Sequence, residues 1–451
     1  RDQRGSLRHI LARHEGGAFL LRVEDTDLER SSPEAIAALL DVMAWLDLDF
    51  DEPPVYQTQQ RQHHLEAAQD LLSRGLAYHD SKGGDGEAVV FRIPWDAEKA
   101  PGVSVEGPVE WDVHPDEPVQ IASSGVTFAG VSKKGKPMPG GACLAGFMDL
   151  EILDAWGKPI FLLKDTLEAI LSGAERVVNG GSKLRFTRRS VSYDDLVKGT
   201  LSKPLDSMKN FVIVRSDGSP VFHLANVCDD VTQGITHIVR GDDHVENTYR
   251  HIFLFDALGA TPPRYGHLPM IVNQAGKPYS KRDGDAFVGE FRDKGYLPGA
   301  LFNYLTLLGW NPGDEREKMD RQELVKAFSL DRVQQSAAQV DLRKLLNLNG
   351  QYIAEMPFDT FLQTVQAGLA DVPWARADAA AILPRVARLM QSRTKLLTDV
   401  MQWETFFVEM PTFDEKAVHK FLCKPGMAPA LERLAAALAA VDFADEQAIE
   451  T

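Results

Sequence analysis

The sequence predicts an α/β protein that gives way to an all-helical region, and three observations carry that expectation. A short apolar run at 18–23 is followed by two helical stretches reaching about residue 74; β-prone and helical runs alternate again over 211–270; from about 297 onward nearly every segment reads as helix. Alternation of strand and helix points to an open, mostly parallel sheet, and a lasting change of pattern marks a domain boundary, here near 290–320. At 451 residues the chain exceeds what one hydrophobic core serves, so two to four domains are expected.

The elements follow in order. "SLRHILARH", residues 6–14, reads as the end of a helix closed by Gly16-Gly17. "AFLLRV", 18–23, suits a buried strand and stops at "EDTD", the kind of strand edge where open α/β sheets bind ligands. Ser31-Ser32-Pro33-Glu34 combines a capping hydroxyl with proline at the first helical position, and Ile36, Leu39, Leu40, Met43 and Leu46 then recur at helical spacing. A second helix is expected over about 60–74, ending near Gly75.

Residues 81–190 have a different texture, with short β-prone runs broken by Gly and Pro, an exposed "VSKKGKPMPGGA" loop and one helix near 165–172; this is an inserted subdomain of strands and loops. Beyond it, "FVIVR" and "PVFHLA" read as β-prone runs, "NVCDDVTQG" as a short helix, "ITHIVRG" as a strand reaching Arg240, and 247–259 as a helix.

The charge balance of 65 Asp and Glu against 49 Lys and Arg, formally −16, argues against a generic nucleic-acid coat, although a focused basic groove is compatible with it. Cys143, Cys228 and Cys423 lie far apart, so neither a disulfide framework nor a zinc spacing is present and a reducing compartment is expected. No run of about 18 apolar residues occurs. The chain opens without Met, in what reads as mid-helix, and therefore has the look of a fragment.

Three clusters carry chemistry. Lys277, Lys281 and Arg282 lie between Gly276 and Gly284, either as a solvated basic turn or as a loop that holds a phosphate. Glu24, Asp25 and Asp27 crowd a sheet edge, where a ligand ammonium, magnesium or ordinary helix-end solvation would answer their repulsion. In "FHLANVCDDVTQGITHIVRGDDH", polar His223, Asn226, Asp229 and Asp230 interrupt apolar stretches. Arg240 ends a strand, where it would read a carboxylate or pair with an acid downstream. No GxSxG elbow, Walker loop or GxGxxG fingerprint is present, which leaves positioning and electrostatics as the mode of catalysis.

In order and separation, "FLLRVEDTDLERS", "VSYDDLVKG", "FVIVRSDGSPVFHLANVCDDVTQGITHIVRGDDHVENTYRHIFLFDALG", "HLPMI", "KPYSKRDGD" and "DLRKLLNLNGQYI" resemble the bacterial-type glutamyl-tRNA synthetases of class I. The resemblance implies a Rossmann-like catalytic domain with an inserted subdomain, followed by an all-helical anticodon-binding region. The divisions expected are 1–80 and 191–270 for the two catalytic halves, 81–190 for the insertion, 271–320 for the signature loop and linking domain, and 321–451 for the anticodon-binding region, cut before its last partners.

What it further implies is an ATP-dependent, magnesium-assisted ligase that joins L-glutamate to AMP and passes it to the 3′ end of tRNA(Glu). Glu24 matches the acid for the substrate ammonium and Arg240 the arginine for its side-chain carboxylate, with Asn226, Phe222 and His223 beside them. Gly241 and His244 flank the ATP site; Lys281, with Lys277 and Arg282, steadies the triphosphate; Thr26, Asp27 and Arg30 lie near the tRNA acceptor end. A cytoplasmic or organellar monomer without zinc or membrane association is expected. The sequence departs from the family in the absent N-terminal His-x-Gly-His strand, in Pro278 at the first lysine position of the loop, in Phe222 where many members carry tyrosine, and in the unmatched insertion. An enzyme that also charges tRNA(Gln), or a non-catalytic tRNA-binding relative, are the alternatives.

Overall fold

The computed structural model describes residues 2–25, 32–81, 86–96, 100–280, 282–284, 287–375, 378–407 and 414–439. It divides into two compact units, 1–349 and 350–451.

The first unit begins with α1 (Asp2–His14), which buries Leu7, Ile10 and Leu11. The expected strand at 18–23 is reduced to β1 (Arg22–Val23), paired in parallel with β2 (Val55–Tyr56). Residues before it stay extended but are tied singly, Asp51 N–H to the Phe19 carbonyl at 2.9 Å and Val55 N–H to that of Leu21 at 3.0 Å, so no ladder forms. Helix α2 (Pro33–Trp45) starts as its sequence suggests, with the Ser32 hydroxyl accepting from Ala35 N–H at 3.2 Å. Helix α3 (Arg61–Ser73) ends before Gly75, whose φ of 70° needs a glycine.

Strands β3 (Ala77–Asp80) and β4 (Ala88–Phe91) put Ala77, Val89 and Phe91 into the main core, and the insertion is built on β5 (Val103–Asp112), β6 (Val119–Ala122), β7 (Gly125–Val131), β8 (Pro137–Ala142), β9 (Met148–Leu153), β10 (Pro159–Leu162), the short helix α4 (Leu167–Leu171) and β11 (Arg176–Val178). Its own core gathers Trp111, Phe128, Phe147 and Phe186, with ring centroids 5.0–6.4 Å apart, over Ile121, Ile152 and Leu184. Strands β6, β7, β8 and β11 form a separate antiparallel sheet.

The long β12 (Lys183–Asp195) joins insertion to catalytic domain. Its first half pairs antiparallel with β5 and β9, its second half with β13 (Gly199–Pro204), and its last residue, Asp195, meets Tyr265 in parallel. Accordingly Leu184 and Phe186 belong to the insertion's core while Val191 belongs to the main one. Strand β14 (Phe211–Val214) closes a sheet with β4 and β3.

Helix α5 spans Phe222–Thr232, so the "VFHLA" run expected as strand is its first turn. Buried Leu224, Val227 and Cys228 have the 3–4 spacing of a helix face, and that period wins over the β-prone residues. Strand β15 (His237–Gly241), helix α6 (Val245–Ala257) and strand β16 (Arg264–Leu268) complete a frame of two parallel strands and a crossover helix around Arg240. Then come β17 (Ile271–Val272), α7 (Val288–Asp293), α8 (Pro298–Leu307), α9 (Arg321–Ala327), β18 (Ala338–Gln339) and α10 (Leu342–Glu355), inside which the division between the units falls. The change to helix begins earlier, because α8 and α9 pack on α1 as part of the first unit.

The second unit continues α10 with α11 (Phe358–Gly368) and α12 (Asp378–Met390), around buried Phe361, Val365, Ala387 and Trp403, and then with α13 (Glu415–Ala417) and α14 (Met427–Ala439), whose described residues are mostly exposed. Among the described residues no helix is long and apolar enough to cross a membrane.

Candidate active site

Strand β15 delivers Arg240 into the interior, where it is 7 % exposed. Its Nε–H donates to His267 Nε2 at 3.2 Å, and its Nη2 donates to Thr248 Oγ1 at 2.7 Å and to the His244 carbonyl at 3.3 Å. The guanidinium also lies over the Tyr265 ring, 5.2 Å from its centroid. Nη1 has no partner among the described residues. The acids downstream, the alternative partners of Arg240 in the sequence, are engaged elsewhere: Asp242 with Lys198 at 3.3 Å and Asp243 with Arg4 at 3.1 Å. Burial is the largest influence on the Arg240 charge and lowers its pKa, while the nearest acids, Asp230 and Asp243, act only at a distance. A buried cation with no contacting anion is costly unless a ligand supplies one.

Glu24 follows β1 and is exposed. Asn226, on α5, donates Nδ2–H to its Oε1 at 3.3 Å and accepts from Gln57 Nε2 at 3.0 Å. Gln57 Nε2 also reaches Asp229 Oδ2 at 2.8 Å, and Asp229 Oδ1 meets His64 Nε2 at 2.6 Å. Arg22 binds Asp230 at 2.8 Å. A buried polar chain from α3 to α5 thus orients the amide that addresses Glu24. Asp25, by contrast, is answered by Thr58, from its N–H at 2.8 Å and its Oγ1 at 2.5 Å, which makes it a structural carboxylate.

Arg8 on α1 joins the same neighbourhood and had no signal in the sequence. Its Nε–H donates to the Val239 carbonyl at 2.6 Å. Enclosure by protein pushes its pKa down to about 10, Arg4 adding to the effect; Glu24 opposes it, and Arg240 and Arg22 lower it further. The residue as a whole is nonetheless exposed. His244 feels burial first, then the opposed fields of Asp243, Arg240, Arg4 and Glu24, and its pKa is lowered. Glu24, Arg240 and His244 therefore share one electrostatic environment with Arg4 and Arg8.

Phe222 stacks on His244 with centroids 5.9 Å apart, and His223 Nδ1 lies 3.2 Å from His251 Nε2. Burial, helped by Arg250 and Arg240, pushes His223 down to about 4, and His251 is driven well below the usual range by its burial. Both imidazoles are neutral near pH 7. At Gly241 a Cβ would meet the Arg4 guanidinium and the Asp243 carboxylate, the ends of two flexible side chains that would have to move aside.

Two further buried residues, Asp195 and His267, went unnoticed in the sequence. Asp195 Oδ2 lies 2.5 Å from His267 Nδ1, and its Oδ1 accepts from the backbone N–H groups of Lys198 (2.9 Å), Val197 (3.0 Å) and His267 (3.1 Å).

The described residues of the 273–284 loop bond largely to one another. Asp283 accepts from Asn273 Nδ2 at 2.7 Å and from Ser280 N–H at 2.9 Å and Oγ at 2.8 Å. Lys277 and Arg282 are exposed and, among the described residues, neither is hydrogen-bonded or ion-paired to the Arg240 cluster. Lys281, Thr26, Asp27 and Arg30 lie outside the described residues. No group of three or more metal-ligating side chains occurs among those described.

Comparison with known proteins accounts for this frame. The model of the class I tRNA synthetase catalytic domain for E and Q matches residues 6–86 and 181–347, leaving 87–180 between its two parts, and an anticodon-binding domain model matches 360–451. A glutamate–tRNA ligase of Burkholderia multivorans is 34 % identical over 449 residues, covering 98 % of this chain and 84 % of the relative. Another, from Oleidesulfovibrio alaskensis, is 36 % identical over 421 residues, covering 92 % and 77 %. The fold is shared with a crystal structure of a glutamate tRNA ligase from Elizabethkingia meningosepticum in complex with its amino acid, at a TM-score of 0.66 and 23 % identity over 98 % of this chain and 84 % of that one. With the catalytic frame, the helical region and relatives a third identical along nearly its whole length in agreement, the chain belongs to the bacterial-type glutamyl-tRNA synthetases, class I enzymes that ligate glutamate to tRNA.

Proposed function

We propose that this chain activates L-glutamate with ATP and transfers it to tRNA(Glu), with Arg240 and Glu24 as the two ends of the amino-acid clamp. The substrate's side-chain carboxylate meets Arg240 Nη1, and its ammonium meets Glu24, which Asn226 orients. Phe222 and His223 border the aliphatic part, and a neutral His223 adds no charge that would compete for the carboxylate. The observation that carries this reading is the buried Arg240, whose Nη1 has no partner among the described residues and whose neighbouring acids pair with Lys198 and Arg4.

The chemistry is placement and charge neutralisation. The substrate α-carboxylate attacks the α-phosphorus of ATP, pyrophosphate leaves, and a hydroxyl of the terminal ribose of tRNA then attacks the acyl carbon and releases AMP. Lys281, with Lys277 and Arg282, serves the triphosphate; Gly241 and His244 border the nucleotide; Thr26, Asp27 and Arg30 serve the acceptor end. A closing basic loop contributes through transition-state electrostatics, for which no general base is needed. Magnesium, when bound with ATP, offsets phosphate charge, and phosphates and water supply most of its ligands without a protein cage.

ATP–pyrophosphate exchange with each of the twenty amino acids, with and without tRNA, tests the reading. Exchange dependent on glutamate alone is the expected result. Exchange with another amino acid, or none with any under both conditions, rejects it.

A further inference from the structure

We propose that Asp195 and His267 are positioning residues for Arg240, forming a buried relay that sets the direction of its free Nη1 and hence glutamate selectivity. This rests on Arg240 being the carboxylate-reading residue, as argued above.

The geometry determines the tautomer from both sides of the ring. His267 Nδ1 faces a carboxylate oxygen of Asp195 at 2.5 Å, so Nδ1 carries the proton. Nε2 faces Arg240 Nε–H at 3.2 Å and the Thr248 hydroxyl at 3.3 Å. A guanidinium nitrogen only donates, so Nε2 must be bare. Asp195, His267 and Thr248 are almost wholly buried, and no water-facing alternative competes for the ring. The other Asp195 oxygen takes three backbone N–H groups, which pins the carboxylate itself. Burial alone would raise the Asp195 pKa, but the hydrogen bonds from His267 and the backbone outweigh it and keep the group ionised. Tyr265 completes the support, its ring 11° from the plane of His267 and beneath the Arg240 guanidinium.

The relay also constrains rotation of the guanidinium. With Nε held by His267 and Nη2 by Thr248, the fork can present only Nη1 to a ligand. Losing the acceptor at Nε frees that plane to turn, so a carboxylate would no longer be met in a fixed orientation.

The test is steady-state exchange on the full chain in the presence of tRNA, with glutamate and glutamine compared and melting temperature measured alongside. Asp195→Asn is the sharpest variant: it preserves shape, but its amide donates to Nδ1 and drives the ring to the tautomer with Nε2–H, which then opposes Arg240 Nε–H. The KM for glutamate should rise roughly ten- to hundred-fold, as for loss of a hydrogen bond to a charged group, with the KM for ATP unchanged and discrimination against glutamine reduced. His267→Gln, whose carbonyl can accept from Arg240, should recover part of what His267→Ala loses. In an Arg240→Ala background, Asp195→Asn should add little, because its effect passes through the missing side chain. A folded Asp195→Asn protein with unaltered KM for glutamate overturns the proposal. So does an equal rise in both KM values with a lower melting temperature, which is the mark of a merely structural role. If His267→Ala does not fold, the Asp195→Asn measurement decides. An Arg240→Ala protein that keeps the parent KM for glutamate sinks the underlying assignment of Arg240 instead.

Discussion

Arg240 and Lys277 are both cations proposed to meet the substrates of one reaction, yet the protein holds them in opposite ways. Arg240 is buried and braced by His267, Thr248 and Tyr265, from two other elements. Lys277 is exposed on a segment whose hydrogen bonds mostly close within ten residues, through Asn273, Ser280 and Asp283. A pre-set donor rejects the wrong ligand because it cannot follow it, whereas a self-contained loop keeps its shape while its charges meet a polyanion from solvent. Selectivity is therefore expected to reside in the frame, and triphosphate chemistry in the loop.

Substitutions can break that division of labour. The largest effect is expected for Arg240→Ala, which should lower kcat/KM for glutamate by about 2–5 kcal/mol, the cost of truncating a buried charged partner. Arg240→Lys should recover little, for want of the fork; a loss under tenfold would show that the pocket is not the selector. Next comes Lys281→Ala, expected to slow adenylate formation by about 2–4 kcal/mol while tRNA affinity holds. Equal single-turnover rates in a rapid-mixing assay would remove that lysine from the chemistry.

A third measurement sharpens the pocket's side of the contrast. His223 is held down to about 4 from an ordinary value near 6.5, so the unfolded chain binds more protons between those values. Stability present above pH 6.5 should therefore be lost as pH falls toward 4, by about 1 kcal/mol after allowance for partial solvent screening. His223→Gln should flatten the pH dependence of the denaturation midpoint, and a slope identical to the parent's would contradict the assignment. The smallest effect is expected for Lys277→Ala, within about 1 kcal/mol on the KM for ATP, as for other exposed charges. A change as large as that of Lys281→Ala would mean that Lys277 has taken over the family's first lysine role, displaced there by Pro278.

How legible all this was in the sequence depends on range. Helices α2, α3 and α6 announced themselves through local period and caps such as Ser32-Pro33. "VFHLA" misled because β-prone side chains there serve the first turn of α5, whose spacing shows only when Leu224 is read together with Val227 and Cys228. Glu24 and Arg240 stood out because each closes a strand. Their supports did not, since Gln57 reaches Asp229 across 172 residues and Asp195 reaches His267 across 72. No periodicity encodes such meetings. Asp195 lies within "VSYDDLVKG" and His267 within "HLPMI", but a lone acid and a lone histidine give no hint of being partners.

The thirteen-residue β12 has a consequence for how this chain can change over generations. Side chains alternate faces along a strand, and Asp195 is the last of a rod whose first residues are set by β5 and β9. One codon gained or lost between Lys183 and Asp195 should turn that carboxylate away from His267 unless a bulge absorbs it, as β5 and β9 already do opposite Arg188 and Arg185, whereas the hairpin ends around 133–135 and 154–157 lie outside that count. Chain length at the insertion's rim is thus separate from the count that carries Asp195 to His267.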